Sequence, residues 1–153
     1  MTDGDPFDLE LAHVFDAPRE RLYRAFTDPD LLARWYGPTG FSVPRDSVDV
    51  DLRPGGHVRL VMVHDADEGL RSSVNLRLTE VVEPELLDGA EDWEGVPGQA
   101  GTWSIRHRAE FHDQDGRTRL VLREGPHPPG MADLGRQVWQ MMFARLAAVL
   151  EAN

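Results

Sequence analysis

The sequence contains no cysteine and no lysine. Without cysteine there can be no disulfide, thiolate nucleophile, zinc–thiolate site or iron–sulfur cluster. Without lysine there is no Schiff-base nucleophile and no P-loop lysine. The 16 basic side chains are all arginine, and they face 27 acidic ones, for a formal net charge of -11. That acidity argues against a phosphate backbone or an anionic membrane surface as partner. No apolar run approaches the ~20 residues needed to span a bilayer. The first residues, Met1-Thr2-Asp3-Gly4-Asp5, are acidic where a secretory signal is basic and then apolar. These absences predict a cytoplasmic protein that binds neither nucleic acid nor membrane. Internal repeats, low-complexity tracts and long linkers are missing too. With 153 residues, 41% hydrophobic and 28% charged, the chain reads as one packed domain over residues 1–153.

What is present is strong patterning. Phe7, Leu9, Leu11, His13 and Phe15 alternate with Asp8, Glu10 and Ala12, which predicts a half-buried strand. Asp16-Ala17-Pro18 then predicts a helix start with Asp16 as the cap. Asp28-Pro29 opens a second short helix carrying Leu31, Leu32, Trp35 and Tyr36, closed by Gly37-Pro38-Thr39-Gly40. Val48, Val50 and Leu52 form a short strand, Pro54-Gly55-Gly56 a turn, and Val58, Leu60 and Met62 a second strand. Val74, Leu76 and Leu78 alternate in a third. Asp88 to Gly101 is rich in Gly, Pro and acid, and reads as a distorted strand followed by a loop. Trp103, Ile105, His107, Ala109 and Phe111 then share one face of a clear strand. Asp113-Gln114-Asp115-Gly116 turns it back into Thr118, Leu120 and Leu122. A proline-rich connector leads to a long helix, about Met131 to Ala152.

On a helical wheel the apolar residues of that last helix cover an arc of roughly 200°, where a surface helix shows a stripe of ≳100°. Arg145 alone interrupts it. Such a helix must be covered on more than one flank. The expected architecture is α+β: a curved antiparallel sheet gripping a long C-terminal helix, with two short helices after the first strand.

The order β-α-α-β-β-β-β-β-β-α resembles the helix-grip, or START-like, superfamily. More narrowly, it is similar to the family named after the activator of Hsp90 ATPase homologue 1. The residues that carry the resemblance are Asp16-Ala17-Pro18, Thr27-Asp28-Pro29 leading to Arg34-Trp35-Tyr36-Gly37-Pro38, and Asp51-Leu52-Arg53-Pro54-Gly55-Gly56. They continue with Glu80-Val81-Val82-Glu83-Pro84, Gly116-Arg117-Thr118-Arg119-Leu120, and Trp139 with Leu146 and Leu150. The resemblance implies a cavity between sheet and helix, used elsewhere for lipids, polyketides or other apolar molecules. It implies no universal catalytic motif. Two features depart from the family pattern: an acidic stretch where an apolar fifth strand is usual, and Val138 where glycine commonly precedes the helix tryptophan. Most bacterial members look like stand-alone domains without the Hsp90-binding half, so the family name is poor evidence for a chaperone partner.

The candidate ligand-binding residues are Trp35, Tyr36, Trp93, Trp103, His107, Phe111, Trp139, Met142 and Arg145. The aromatics offer area and stacking. His107 shares the inward face of its strand, so it either orients a ligand group, acts as a general base, or is a core histidine satisfied by a neighbour. Arg145 either anchors a ligand carboxylate or snorkels to the domain end. The acids Glu83, Glu85, Asp88, Glu91, Asp92 and Glu94 read as a solvated rim. No HExxH spacing or GxSxG elbow is present, so no metal ligand, catalytic residue or cofactor is assigned. The expected partner is a small apolar molecule, bound in the cavity. A cyclase, aromatase or hydrolase using that cavity, and an interaction module, are the rival readings. Exposed sheet edges in this architecture can pair into a homodimer, though nothing in the sequence requires it.

Overall fold

In a computed structural model, residues 6–96 and 100–152 are described. Strand β1 (Leu9–Phe15) is followed by α1 (Arg19–Thr27) and α2 (Pro29–Trp35). Then come β2 (Phe41–Ser42), β3 (Asp49–Asp51), β4 (His57–His64), β5 (Asp67–Val82), β6 (Leu86–Glu94), β7 (Thr102–Gln114) and β8 (Arg117–Gly125). The chain closes with α3 (Met131–Glu151). The strands form one curved antiparallel sheet in the order β1-β8-β7-β6-β5-β4-β2, with β3 also paired to β4. This is the helix-grip architecture. Among the described residues, no helix is long and apolar enough to cross a membrane.

The alternation read from the sequence sets which face is buried. Ile105, His107, Ala109 and Phe111 of β7 point inward beside Thr118, Leu120, Leu122 and Glu124 of β8. Against this concave face α3 lays Trp139, Met142, Phe143, Leu146, Val149 and Leu150. Helix α1 adds Leu22, Tyr23, Ala25 and Phe26 from the side. Burial of these apolar faces at roughly 25 cal/mol per Å² is what holds helix to sheet.

Two local expectations are corrected. Asp16 does not cap α1; Pro18 holds the cap position with no side-chain bond, and its carbonyl accepts from Arg21 and Leu22. By contrast Asp28 does cap α2, its Oδ1 accepting from the backbone N–H of Asp30 at 2.8 Å and Leu31 at 3.3 Å. The acidic stretch is also not a distorted strand. Leu86–Glu94 is regular, paired with β7 without a register shift, while the irregularity falls on β5 between Leu78 and Glu80. Its outward acids are matched across the sheet. Asp88 takes Arg106 at 3.0 Å and Arg108 at 2.6 Å, and Asp92 takes Arg77 at 2.8 Å. Opposite charges on neighbouring strands turn a poor strand composition into a paired one. Of the loop expected after it, residues 97–99 lie outside the described residues.

Candidate functional site

Between the sheet and one flank of α3 lies a cavity of about 360 Å³. Trp93, Trp103 and Ile105 wall it from β6 and β7; Met131, Leu134, Val138, Trp139, Met141 and Met142 wall it from α3. Leu134 and Met141 are the exposed large apolar residues of α3, at 43% and 41%. The wide apolar arc thus divides in two. One flank packs on the sheet, and the other lines the hollow and its mouth.

A register match builds the other part of the site. Trp93 on β6 faces Trp103 on β7 directly. Their rings stack at 10° with centroids 5.7 Å apart, giving the cavity a flat aromatic wall. The Trp103 indole N–H is buried without an acceptor among the described residues. At the floor, Glu124 and His127 reach the same cavity.

Behind that floor sits a polar cluster in an apolar shell. His107 on β7 is the cross-strand partner of Glu124 on β8 and of Gly89 on β6. Gly89 has no side chain, so His107 also comes near Glu91, two positions along β6. His107 Nδ1 lies 2.9 Å from Glu124 Oε2 and 3.4 Å from Glu91 Oε2. The Trp93 indole donates to Glu91 Oε1 at 2.8 Å, and the Trp139 indole donates to Glu124 Oε1 at 3.0 Å. All three cluster residues are 2–3% exposed.

Burial decides their charge. Loss of solvent, reinforced by the neighbouring Glu124, pushes the Glu91 carboxyl up to about 8. Burial likewise pushes Glu124 up to about 7, against the pull of the Trp139 hydrogen bond. Burial lowers His107 below its ordinary value, and it raises Tyr36, beside the two carboxyls, well above 10. Near neutral pH the pair of carboxyls therefore retains a proton, and His107 is neutral.

A smaller hollow of about 30 Å³ adjoins the cluster, lined in part by Tyr36, Glu91, His107 and Trp139. Trp139 separates it from the larger cavity and touches both.

The residues named from the sequence thus fall into three places. Trp93, Trp103, Trp139 and Met142 line the large cavity. Tyr36 and His107 line the small one. Trp35, Phe111 and Arg145 line neither. Trp35 is fully buried and donates its indole N–H to the Ala25 carbonyl at 2.8 Å. Phe111 packs edge-on against Tyr23 and Phe26, at 5.1 and 5.3 Å. Arg145 donates to the carbonyls of Gly37 at 2.8 Å and Phe41 at 3.1 Å, tying α3 to the loop after α2. That loop carries Pro38 and Thr39 to the cavity rim. Arg145→Leu is expected to cost about 1–3 kcal/mol by orphaning these carbonyls, read as a lower denaturant midpoint.

Sequence reasoning missed Glu91, Glu124 and His127. The solvated-rim reading holds for Glu83, Glu85 and Glu94, which are exposed, and fails for Asp88 and Glu91, at 4% and 2% exposure. The signal for Glu124 was present: Thr118, Leu120 and Leu122 set an inward phase that Glu124 continues. Leu87, Gly89, Glu91 and Trp93 do the same on β6. His127 lies in the connector, where no periodicity applies. Its Nδ1 is held by Asp8 Oδ1 at 2.6 Å.

Comparison with known proteins agrees with this architecture. The family described as "Activator of Hsp90 ATPase homolog 1-like protein" matches residues 16–151. A protein of that kind from Silicibacter pomeroyi is 26% identical, with a TM-score of 0.79 over 94% of this chain and 97% of the other. Protein CV1439 from Chromobacterium violaceum is 25% identical, with a TM-score of 0.77 over 92% and 95%. A Rhodobacter sphaeroides protein at 21% identity shares the fold, with a TM-score of 0.80 over 99% and 97%. No curated protein matches the chain. With its fold, its cavity-bearing helix and nearly its whole length in agreement, the chain belongs to the Activator of Hsp90 ATPase homolog 1-like family.

Proposed function

We propose that this protein binds a small, mostly apolar molecule, lipid-, polyketide- or aromatic-like, in the cavity between the sheet and α3. The observation that carries this reading is the hollow of about 360 Å³, with an apolar wall from α3 facing the stacked Trp93–Trp103 pair. Its size lies within the ~300–1,000 Å³ of small-molecule sites. The unpartnered Trp103 N–H supports a ligand with a carbonyl, ether or hydroxyl oxygen near that wall, because an unsatisfied buried donor is costly. An interaction module requires a filled interior instead, and the cavity weighs against it.

A second reading, an enzyme in the same cavity, draws on one contact. His107 sits 2.9 Å from Glu124, and Glu124 reaches the cavity wall. A carboxyl with a raised pKa beside an imidazole can exchange a proton with a bound molecule.

The test of the first reading is titration with N-phenyl-1-naphthylamine, a neutral apolar fluorophore. Saturable, blue-shifted emission that fatty acids or flat aromatic compounds displace is expected. Trp103→Ala is expected to weaken binding by about tenfold, since it removes both the stacking partner and buried area. Unsaturable fluorescence, unaltered by Trp103→Ala in a folded variant, would overturn the reading.

A further inference from the structure

The cluster behind the cavity floor is arranged more specifically than a buried proton-sharing pair requires. Glu91, His107 and Glu124 come from three adjacent strands, β6, β7 and β8, so the sheet itself fixes their spacing. Each offers one ligand atom within 4.8 Å of the others. Both carboxylates present the same geometry. Oε1 is taken by an indole N–H, from Trp93 on Glu91 and from Trp139 on Glu124. Oε2 of each is left facing His107 Nδ1, at 3.4 and 2.9 Å. Ligands bound tetrahedrally at ~2.0–2.1 Å from a metal lie about 3.4 Å apart, so these separations need only small adjustment. The two indoles do what outer-shell donors do in metal sites: they orient each carboxylate and keep its second oxygen turned toward His107 Nδ1.

We propose that Glu91, His107 and Glu124 bind one divalent transition-metal ion, with a further coordination position open toward the small hollow. Two carboxylates and a neutral imidazole carry two negative charges, which a divalent cation balances inside an apolar shell. One histidine and two carboxylates suit zinc, iron(II) or manganese(II), and do not suit soft ions that prefer sulfur. The hollow of about 30 Å³ lined by Glu91, His107 and Tyr36 has the room of one water molecule, hence of one exchangeable ligand. Glu124 also lines the larger cavity, which supplies a way in for the ion. The proposal stands independently of the apolar-ligand reading, because the ion would sit behind the cavity floor.

The test uses the full chain, stripped with a chelator and desalted. Titration with cobalt(II) is expected to give visible d–d bands that saturate at one equivalent and collapse when zinc(II) is added. Zinc retained after desalting is expected to approach one ion per chain. Glu91→Gln and Glu124→Gln keep shape and hydrogen bonding while removing a charge, and each is expected to weaken cobalt binding by about tenfold or more. His107→Ala is expected to abolish the bands. Folded wild-type protein without cobalt bands and without retained zinc would overturn the proposal. So would binding left unchanged in both glutamine variants, because the ion would then sit elsewhere, at the surface pair His57–Asp49 or at His127–Asp8 by the cavity floor.

Discussion

Protein kept in chelator is expected to lose roughly 5–10 °C of melting temperature as pH rises from about 6.5 to 8.5. Folding lifts Glu91 from 4.5 to about 8 and Glu124 from 4.5 to about 7. A carboxyl raised on folding contributes stability that is fully present below its unfolded value, and that stability is lost as pH climbs through the folded one. For these two groups the loss spans pH 4.5 to about 8. His107 has the opposite sign. Its lowered value makes its contribution complete above 6.5 and lost only as pH falls further, so it is silent in the upper part of the window. The carboxyls held down by ion pairs, Asp49, Asp92 and Glu110, also titrate below the window. The buried pair therefore supplies on the order of 3 kcal/mol of change between pH 6.5 and 8.5. Glu91→Gln is expected to remove more than half of the slope and to raise the melting temperature at pH 8.5. A flat profile in wild type, or an unchanged slope in Glu91→Gln, would contradict this account. Excess zinc(II) is expected to reverse the slope, since metal binding requires both carboxylates to be deprotonated.

Trp139→Ala is expected to cost about 3–5 kcal/mol, read as a shift in the urea midpoint at constant m-value. Trp139 is 3% exposed and is the partition between the two hollows. Its ring contacts Tyr36 at 6.1 Å, Phe143 at 5.7 Å and His107 at 6.3 Å. Truncation would join the hollows into a larger void and strip those contacts at once. It would also remove the indole donor from Glu124 Oε1, leaving a buried carboxylate short of a partner. Trp139→Phe separates the two costs: it fills most of the volume but lacks the N–H. It is expected to cost about 1–3 kcal/mol and to raise the Glu124 pKa further. If Trp139→Ala is no worse than Trp139→Phe, the partition role is wrong.

The two largest effects thus concern residues whose importance was unequally legible. Trp139 stood out as the tryptophan of the apolar arc. Its neighbours in the cluster did not. Glu91 lies in a run of acids whose exposed members, Glu83, Glu85 and Glu94, look no different from it in sequence. Only its phase relative to Leu87 and Trp93 separates it from them, and the glycines and acids of that stretch obscure the phase. Arg145 shows the reverse case. Its place in the apolar arc pointed to a ligand, but the nearest acceptors are backbone carbonyls of the loop after α2, brought there by tertiary packing.

Strand alternation, helical periodicity and turn residues are local, and each acts over a few positions. They sufficed to determine the order of the main elements, though not the two-residue β2, and the inward faces, the greasy closing helix and, with the ordered motifs, the family. The convergence of Glu91, His107 and Glu124 depends on how β6, β7 and β8 are aligned with one another. Register is a property of strand pairs, and a slip of one residue would send each of these side chains to the opposite face. The hollow has the same origin: its walls come from separate parts of the chain, and its volume is what remains after those parts have packed. Tertiary structure alone decided that part of the helix faces open space and that a charged cluster lies behind it.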